Sequence, residues 1–191
     1  MIKNFFILIT IFFLLVNCTK KNTLRNEISN FDYKTFTLDI YDYNFLIQEK
    51  AYNLTEDLGF DTSFMLDKLY NWGNKKFKVN GENKSLLLAI EKLELEKKKI
   101  KRNTGLKKIF FSEEDIEYKL TLKVSLKFFD DYKRLETLNV NGNISFLIQD
   151  NFSIIQRKSS LSSAYEELMI KIDAAINKEF KKEVFFKFRS S

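Results

Sequence analysis

From Glu117 to Phe128 every second residue is apolar: Tyr118, Leu120, Leu122, Val124, Leu126 and Phe128 alternate with Glu117, Lys119, Thr121, Lys123, Ser125 and Lys127. A period of two places the first set on one face of a strand and the second on the other, so the segment predicts a strand buried on one side. Beyond the polar run Asp130-Asp131-Tyr132-Lys133-Arg134, the positions Leu138, Val140, Gly142, Ile144, Phe146 and Ile148 repeat the alternation against Asn139, Asn141, Asn143 and Ser145. The two segments therefore predict a long antiparallel hairpin with its turn within 130–134. Asn141-Gly142 is a favoured hairpin-turn dipeptide, but the apolar parity runs through it, so Gly142 predicts a bulge or a close contact.

Other elements follow the same logic. Thr35 to Tyr41 alternates and predicts the first strand. From Asp61 or Thr62 a helix is expected, with Met65, Leu69, Trp72 and Lys76 on one stripe, Leu66 and Tyr70 widening it, and Asn80-Gly81 ending it. Trp72 reads as a core anchor of that stripe. Residues 85–102 contain many helix formers, yet Leu86, Leu88 and Ile90, then Leu93 and Leu95, alternate with a parity change that a bulge would produce; a strand is the reading adopted. A final amphipathic helix carries Leu161, Tyr165, Leu168, Ile172, Ile176 and Phe180, with the capping-box spacing Ser163 to Glu166 at its start. The tail Val184-Phe185-Phe186-Lys187-Phe188-Arg189 leaves three options open: a short strand, a continued helix end or a membrane-touching patch. The expected fold is α+β, an antiparallel sheet of about four strands with two helices packed on one face, in the order β-α-β-β-β-α.

The first residues follow a different pattern. Met1-Ile2-Lys3-Asn4 precedes an uncharged apolar run from Phe5 to Val16, then Asn17 and Cys18, which is the layout of an export signal over 1–17. About 12 residues make roughly 18 Å of helix, short of a hydrocarbon core of about 30 Å. The segment Leu15-Val16-Asn17-Cys18 resembles the bacterial lipobox, with Asn17 where Gly, Ala or Ser is usual. The resemblance implies lipidation of the Cys18 thiol, cleavage before it and attachment to a lipid bilayer through the acylated N-terminus. Thr19 in place of Asp implies, by the same resemblance, the outer membrane, facing the periplasm. Residues 18–33 are polar and aperiodic and read as a flexible tether, whose roughly 15 residues could extend about 50 Å; residues 34–191 read as a single α+β domain.

Composition narrows the chemistry. With 45% hydrophobic residues, 20 Phe and no Pro in 191 residues, the chain can build a core. It has no His and one Cys, which excludes histidine metal ligands, histidine proton shuttles and an internal disulfide. Its net charge of +6 comes from 32 basic and 26 acidic side chains, too evenly mixed to point to nucleic acid. The densest positive run, Lys97, Lys98, Lys99, Lys101 and Arg102, reads as a solvated surface that can contact an anionic one. Glu113, Glu114, Asp115 and Glu117 form the only dense acidic cluster near the sheet and read as solvated or capping groups; they lack the spacing and the turn glycine of an EF-hand. No phosphate-binding glycine loop or GxSxG elbow occurs. No catalytic residue, metal or cofactor is assigned.

The β-α-β-β-β-α order behind a lipid anchor resembles small envelope lipoproteins that plug or escort outer-membrane machines, and the auxiliary lipoproteins of lipid-exporting transporters. The Trp72-Gly73 helix end, the segment Gly105-Leu106-Lys107-Lys108-Ile109-Phe110-Phe111 and the Tyr165-Glu166-Glu167-Leu168-Met169 helix are similar to a family of alphaproteobacterial envelope proteins without assigned activity, over residues 62–183. The resemblance implies a non-enzymatic binding or assembly component with an envelope protein partner. The alternative is a module that binds lipid or another amphiphile. A cavity lined by Phe, Leu and Ile would favour that alternative, a cleft converging on Glu113, Glu114 or Asp115 would favour a hydrolase, and a filled core favours the first.

Overall fold

The computed structural model divides the chain into two units, Met1–Phe31 and Asp32–Ser191. It describes residues 33–48, 51–54, 61–101 and 114–190, without the side chains of Lys101 and Glu114. The signal segment, Cys18 and most of the tether lie outside the described residues, as do Arg102 and the segment 105–111.

The elements are β1 (Phe36–Leu38), β2 (Asp42–Ile47), β3 (Tyr52–Asn53), α1 (Phe64–Lys76), β4 (Phe77–Val79), β5 (Lys84–Lys101), β6 (Glu114–Asp130), β7 (Lys133–Ile148), α2 (Ile154–Glu179) and a closing 3₁₀ helix (Glu183–Phe188). The main sheet has the order β2-β5-β6-β7, with β3 continuing along β5 beyond β2. The three long strands are antiparallel, whereas β2 and β3 pair with β5 in parallel. The fold is α+β, with a mainly antiparallel sheet and two α-helices.

The register follows the hydrophobic parity. Leu88, Leu126 and Leu138 align across β5, β6 and β7, as do Leu95, Leu120 and Ile144. The parity change in β5 is a bulge between Ile90 and Lys92. The turn between β6 and β7 is tight, and Asp131 supplies its left-handed residue at φ 49°, a conformation that short polar side chains tolerate. Gly142 is a close contact: a Cβ there would lie 2.9 Å from Leu168 Cδ1 and 3.0 Å from Ile172 Cδ1. Its lack of a side chain lets α2 settle directly on β7.

Both helices cover the same apolar face. Met65, Leu69, Trp72 and Lys76 of α1 are buried, as are Leu161, Tyr165, Leu168, Ile172 and Ile176 of α2, matching the stripes expected from the sequence. Their ends differ from expectation. Helix α1 stops at Lys76 and passes straight into β4, so Asn80-Gly81 does not terminate it; the Asn80 N–H instead donates to Leu38 O. Helix α2 starts at Ile154, where Ser153 and Gln156 form a reciprocal capping box, and Ser163 lies inside the helix. Its first turns, Ile154-Ile155-Gln156-Arg157-Lys158, overhang the core, which is why the apolar stripe did not reveal them. The first strand is shorter than predicted, and β2 and β3 were not foreseen.

At the other end the tail forms a 3₁₀ helix, whose three-residue period puts Phe185 and Phe188 on one buried face. Phe188 stacks on Phe128 at 4.2 Å, Phe185 on Phe180 at 5.3 Å and Phe180 on Phe36 at 4.6 Å. The backbone then runs beside β1: Leu38 bridges Arg189, and Ser190 N–H donates to Thr37 O.

Candidate functional site

Lys97, Lys98, Lys99 and Lys101 of the basic run lie at the end of β5, and the pleat divides them. Lys97 and Lys99 align with Tyr118 and Ile116, whereas Lys98 aligns with Glu117 and lies on the other face. Lys101 aligns with Glu114 and Ile100 with Asp115. The acidic and basic clusters are thus the two arms of one antiparallel ladder, and opposite charges directly across such a ladder attract. Nearby, Lys119 Nζ lies 3.8 Å from Glu96 Oε2. Lys97, Lys98 and Lys99 are exposed, while Asp115 is buried; Lys97, Lys99 and Asp115 all have interactions of their own.

On the polar face, the β5 bulge turns Glu91 toward β6. Its Oε1 accepts from Ser125 Oγ at 2.8 Å and from Lys127 Nζ at 2.8 Å, while Oε2 accepts from Gln48 Nε2 at 2.6 Å. The hydrogen bonds from Lys127 and Ser125 hold the Glu91 carboxyl below its ordinary range. Ser125 is buried and also lies 3.0 Å from Asn139 Oδ1. A serine hydroxyl directed at an ionised, lysine-paired carboxylate is a structural donor, because no free base remains to activate it.

A second ionic cluster sits between the helices. Lys76 Nζ lies 2.6 Å from Asp173 Oδ1 and donates to Asn177 Oδ1 at 2.7 Å. Trp72 Nε1 donates to Asp173 Oδ1 at 3.0 Å, and Asn177 Nδ2 donates to Asp173 Oδ2 at 2.7 Å. The ammonium also lies 5.0 Å from the centre of the Phe36 ring. Lys76 and Asp173 are 0% and 2% exposed, so the charges are removed from water and satisfied by each other. Burial lowers the Lys76 pKa, and the hydrogen bond to Asp173 opposes that shift. Tyr165, fully buried alongside, donates to Met65 O at 2.6 Å, and burial pushes its hydroxyl well up. The cluster docks α1 on α2. The sequence carried a trace of it in Lys76, which occupies an apolar stripe position of α1; Asp173, next to the stripe residue Ile172, was not singled out.

Among the described residues, surface hollows include the following two. One of about 640 Å³ is lined by Tyr52, Asn53, Leu54, Asp61, Thr62, Ser63 and Leu66. The other, about 590 Å³, is bordered by Tyr41, Glu82, Asn83, Lys84, Asp130 and Asp131. Neither is an apolar cavity of Phe, Leu and Ile, and neither converges on Asp115. Among the described residues no group of three or more acidic or cysteine ligands could hold a metal ion, and no helix is long and apolar enough to cross a membrane.

Neither a family model nor a curated protein matches the sequence, so these comparisons lend the resemblance over 62–183 no support. Solved structures give partial matches. A neuraminyllactose-binding hemagglutinin homolog from Helicobacter pylori is 15% identical with a TM-score of 0.42, over 83% of this chain and 95% of that one. A minor lipoprotein from Acinetobacter baumannii is 19% identical with a TM-score of 0.38, over 72% and 93%. Rare lipoprotein B from Shewanella oneidensis is 12% identical with a TM-score of 0.37, over 75% and 97%. Bacterial lipoproteins are thus among the structures similar to this chain, at a level that carries no activity across.

Proposed function

We propose that this protein is a lipoprotein of the bacterial cell envelope, anchored through acylated Cys18, that acts by binding or assembly and performs no catalysis. The observation that carries the reading is the lipobox-like Leu15-Val16-Asn17-Cys18 at the end of the apolar run, on the chain's single cysteine. Three acyl chains, each burying methylenes at about 0.8 kcal/mol per CH₂, give firm attachment. The membrane in question is the outer one, with the domain in the periplasm. Tethering there raises the local concentration of the domain around an envelope protein partner. The exposed Lys97 and Lys99, which share a face, are the part of the basic run that meets an anionic surface.

Replacing Cys18 with Ala is expected to abolish metabolic palmitate labelling and partitioning into detergent. Labelling that persists in the variant would overturn the assignment. Crosslinking in intact envelopes followed by affinity capture is expected to recover a defined partner in wild type and much less of it with the Cys18→Ala variant.

A further inference from the structure

One corner of the domain carries more positive charge than its carboxylates answer. Three cations gather at the Phe36 ring: Lys76 Nζ, Lys34 Nζ and the Arg189 guanidinium carbon lie 5.0, 5.7 and 5.9 Å from its centre. Burial lowers the Lys76 pKa, and the charge of Lys34 is near enough to add to that lowering. Asp173 serves Lys76. Among the described residues no carboxylate forms an ion pair with Lys34 or Arg189. Arg189 is also held over Phe186, 4.8 Å from the centre of that ring. Its Nε is buried without an acceptor, while the residue as a whole is partly exposed, so its terminal nitrogens are what it offers to a ligand. The surroundings do not compensate. Glu179 is engaged by Lys182 and Glu136 by Lys187, Lys75, Lys178 and Lys181 are exposed at the nearby helix ends, and Glu183 is the exposed carboxylate of the closing 3₁₀ helix. That helix also leaves Phe186 and Val184 50% and 41% exposed, and its three-residue period sets Phe186 one turn before Arg189. A large apolar side chain therefore stands in water beside an unpaired guanidinium.

We infer that this corner docks on the anionic phospholipid bilayer that carries the chain, with Phe186 in the interfacial layer and Arg189 and Lys34 against headgroup phosphates. The inference rests on the anchor at Cys18. Charge chooses the occupant first: unpaired cations suit an anionic leaflet, and a guanidinium already held by ring stacking presents its planar fork to a phosphate with little further ordering. The apolar part points the same way. Phe186 is half exposed and borders neither of the hollows described above, and a protruding aromatic ring among basic residues enters a fluid headgroup layer without needing a complementary shape. The third argument is position along the chain. Lys34 comes sixteen residues after Cys18, and no described basic residue is nearer to it in sequence, so the tether delivers this corner to the leaflet at the highest local concentration. Docking here also orients the domain. Asp39, just after β1, pairs with Lys84 at the start of β5, and Lys97 lies thirteen residues farther along that strand, about 40 Å away. Lys97 and Lys99 are thereby held off the bilayer, where an envelope partner can reach them.

The test uses the full lipidated chain in phosphatidylcholine vesicles with and without phosphatidylglycerol, a single indole as reporter and brominated phospholipid as quencher. With Trp72→Phe as the background, Phe186→Trp is expected to lose about half of its emission to brominated lipid in the anionic vesicles, the depth of an interfacial side chain being within the quencher's reach. Ile155→Trp in the same background, at an exposed position near the start of α2 and roughly 36 Å of helix from Glu179, is expected to keep its emission. Adding Lys34→Gln and Arg189→Gln to the Phe186→Trp reporter is expected to restore emission with unchanged circular dichroism, and Lys34→Gln alone, on an exposed residue, to restore part of it. Palmitate labelling and flotation with the vesicles read the anchor separately. A labelled chain that floats while the indole at 186 stays unquenched, or is quenched no more than the indole at 155, would overturn the docking and leave the anchor standing. Quenching at 186 that ignores both phosphatidylglycerol and the two glutamines would overturn the phosphate contacts, and a chain that neither takes up palmitate nor floats would overturn anchor and docking together.

Discussion

Lys76–Asp173 and Lys127–Glu91 are made from the same kinds of charge at similar separations, 2.6 and 2.8 Å, on opposite sides of the sheet. The first is sealed between two helices; the second lies on the polar face with side chains 23% and 29% exposed. Water makes the difference. On the polar face each charge keeps part of its hydration, so the attraction adds little net stability. Between the helices each charge has given up its hydration, so each depends on the other, and the pair specifies how α1 meets α2 more than it stabilises the fold. The comparison teaches that charge content alone does not locate function here, because the same motif serves as a rivet in one place and as surface chemistry in the other.

The sharpest way to break the comparison is to remove one partner of the buried pair. Asp173→Ala strands Lys76 and removes the acceptor of Trp72 and Asn177, with an expected loss of about 3–5 kcal/mol in denaturant unfolding. Because the chain has one Trp and Asp173 accepts from it, the variant's fluorescence should shift to the red. A loss below 1 kcal/mol would show that the cluster rehydrates. Trp72→Phe leaves the ion pair intact but removes one donor and part of a buried ring; a loss of about 1–3 kcal/mol is expected by the same measurement.

The smallest effect is predicted for Glu91→Gln, at most about 1 kcal/mol at neutral pH. Its value is in its pH dependence. The folded carboxyl titrates below its ordinary 4.5, so its contribution is present above that value and is lost as pH falls through the lower folded pKa. The gap in stability between wild type and Glu91→Gln should therefore close on acidification below pH 4.5. A gap that stays constant from neutral pH into acid would mean that Lys127 does not hold the carboxylate.

Much of this was legible from periodicity. The β6–β7 hairpin, the parity change in β5 and the α1 stripe are local patterns, and Gly142 declared itself by interrupting a neutral strand without interrupting its parity. What was not legible depends on distant partners. Residues 42–47 and 52–53 become strands by parallel pairing with β5, which lies beyond the intervening helix α1. The start of α2 was hidden because Ile154 and Ile155 point outward, 63% and 81% exposed, while Ser163 mimicked a cap. Lys76 stood visibly on the α1 stripe, but Asp173 was not among the residues read on the α2 stripe, and only helix docking shows that each explains the other. The charge runs over 97–102 and 113–117 looked like separate candidates until the β5–β6 register placed 97–101 opposite 114–118. The proposed lipidation of Cys18 rests on the sequence, since that residue lies outside the described residues.

The clip between Thr37–Asp39 and Phe188–Ser190 bears on how the domain reaches its final state. These hydrogen bonds join positions separated by roughly 150 residues, whereas the β5–β6–β7 meander joins near neighbours along the chain. Closing a long loop costs entropy that a local hairpin does not pay. The meander is therefore the natural early-folding unit; β1 can pair with β4, but its contact with the closing tail must wait for the last residues to arrive. Until then the aromatic cluster around Phe36, Phe128 and Phe188 stays open to water, and hydrogen exchange should find the two ends of the domain opening together as one cooperative unit.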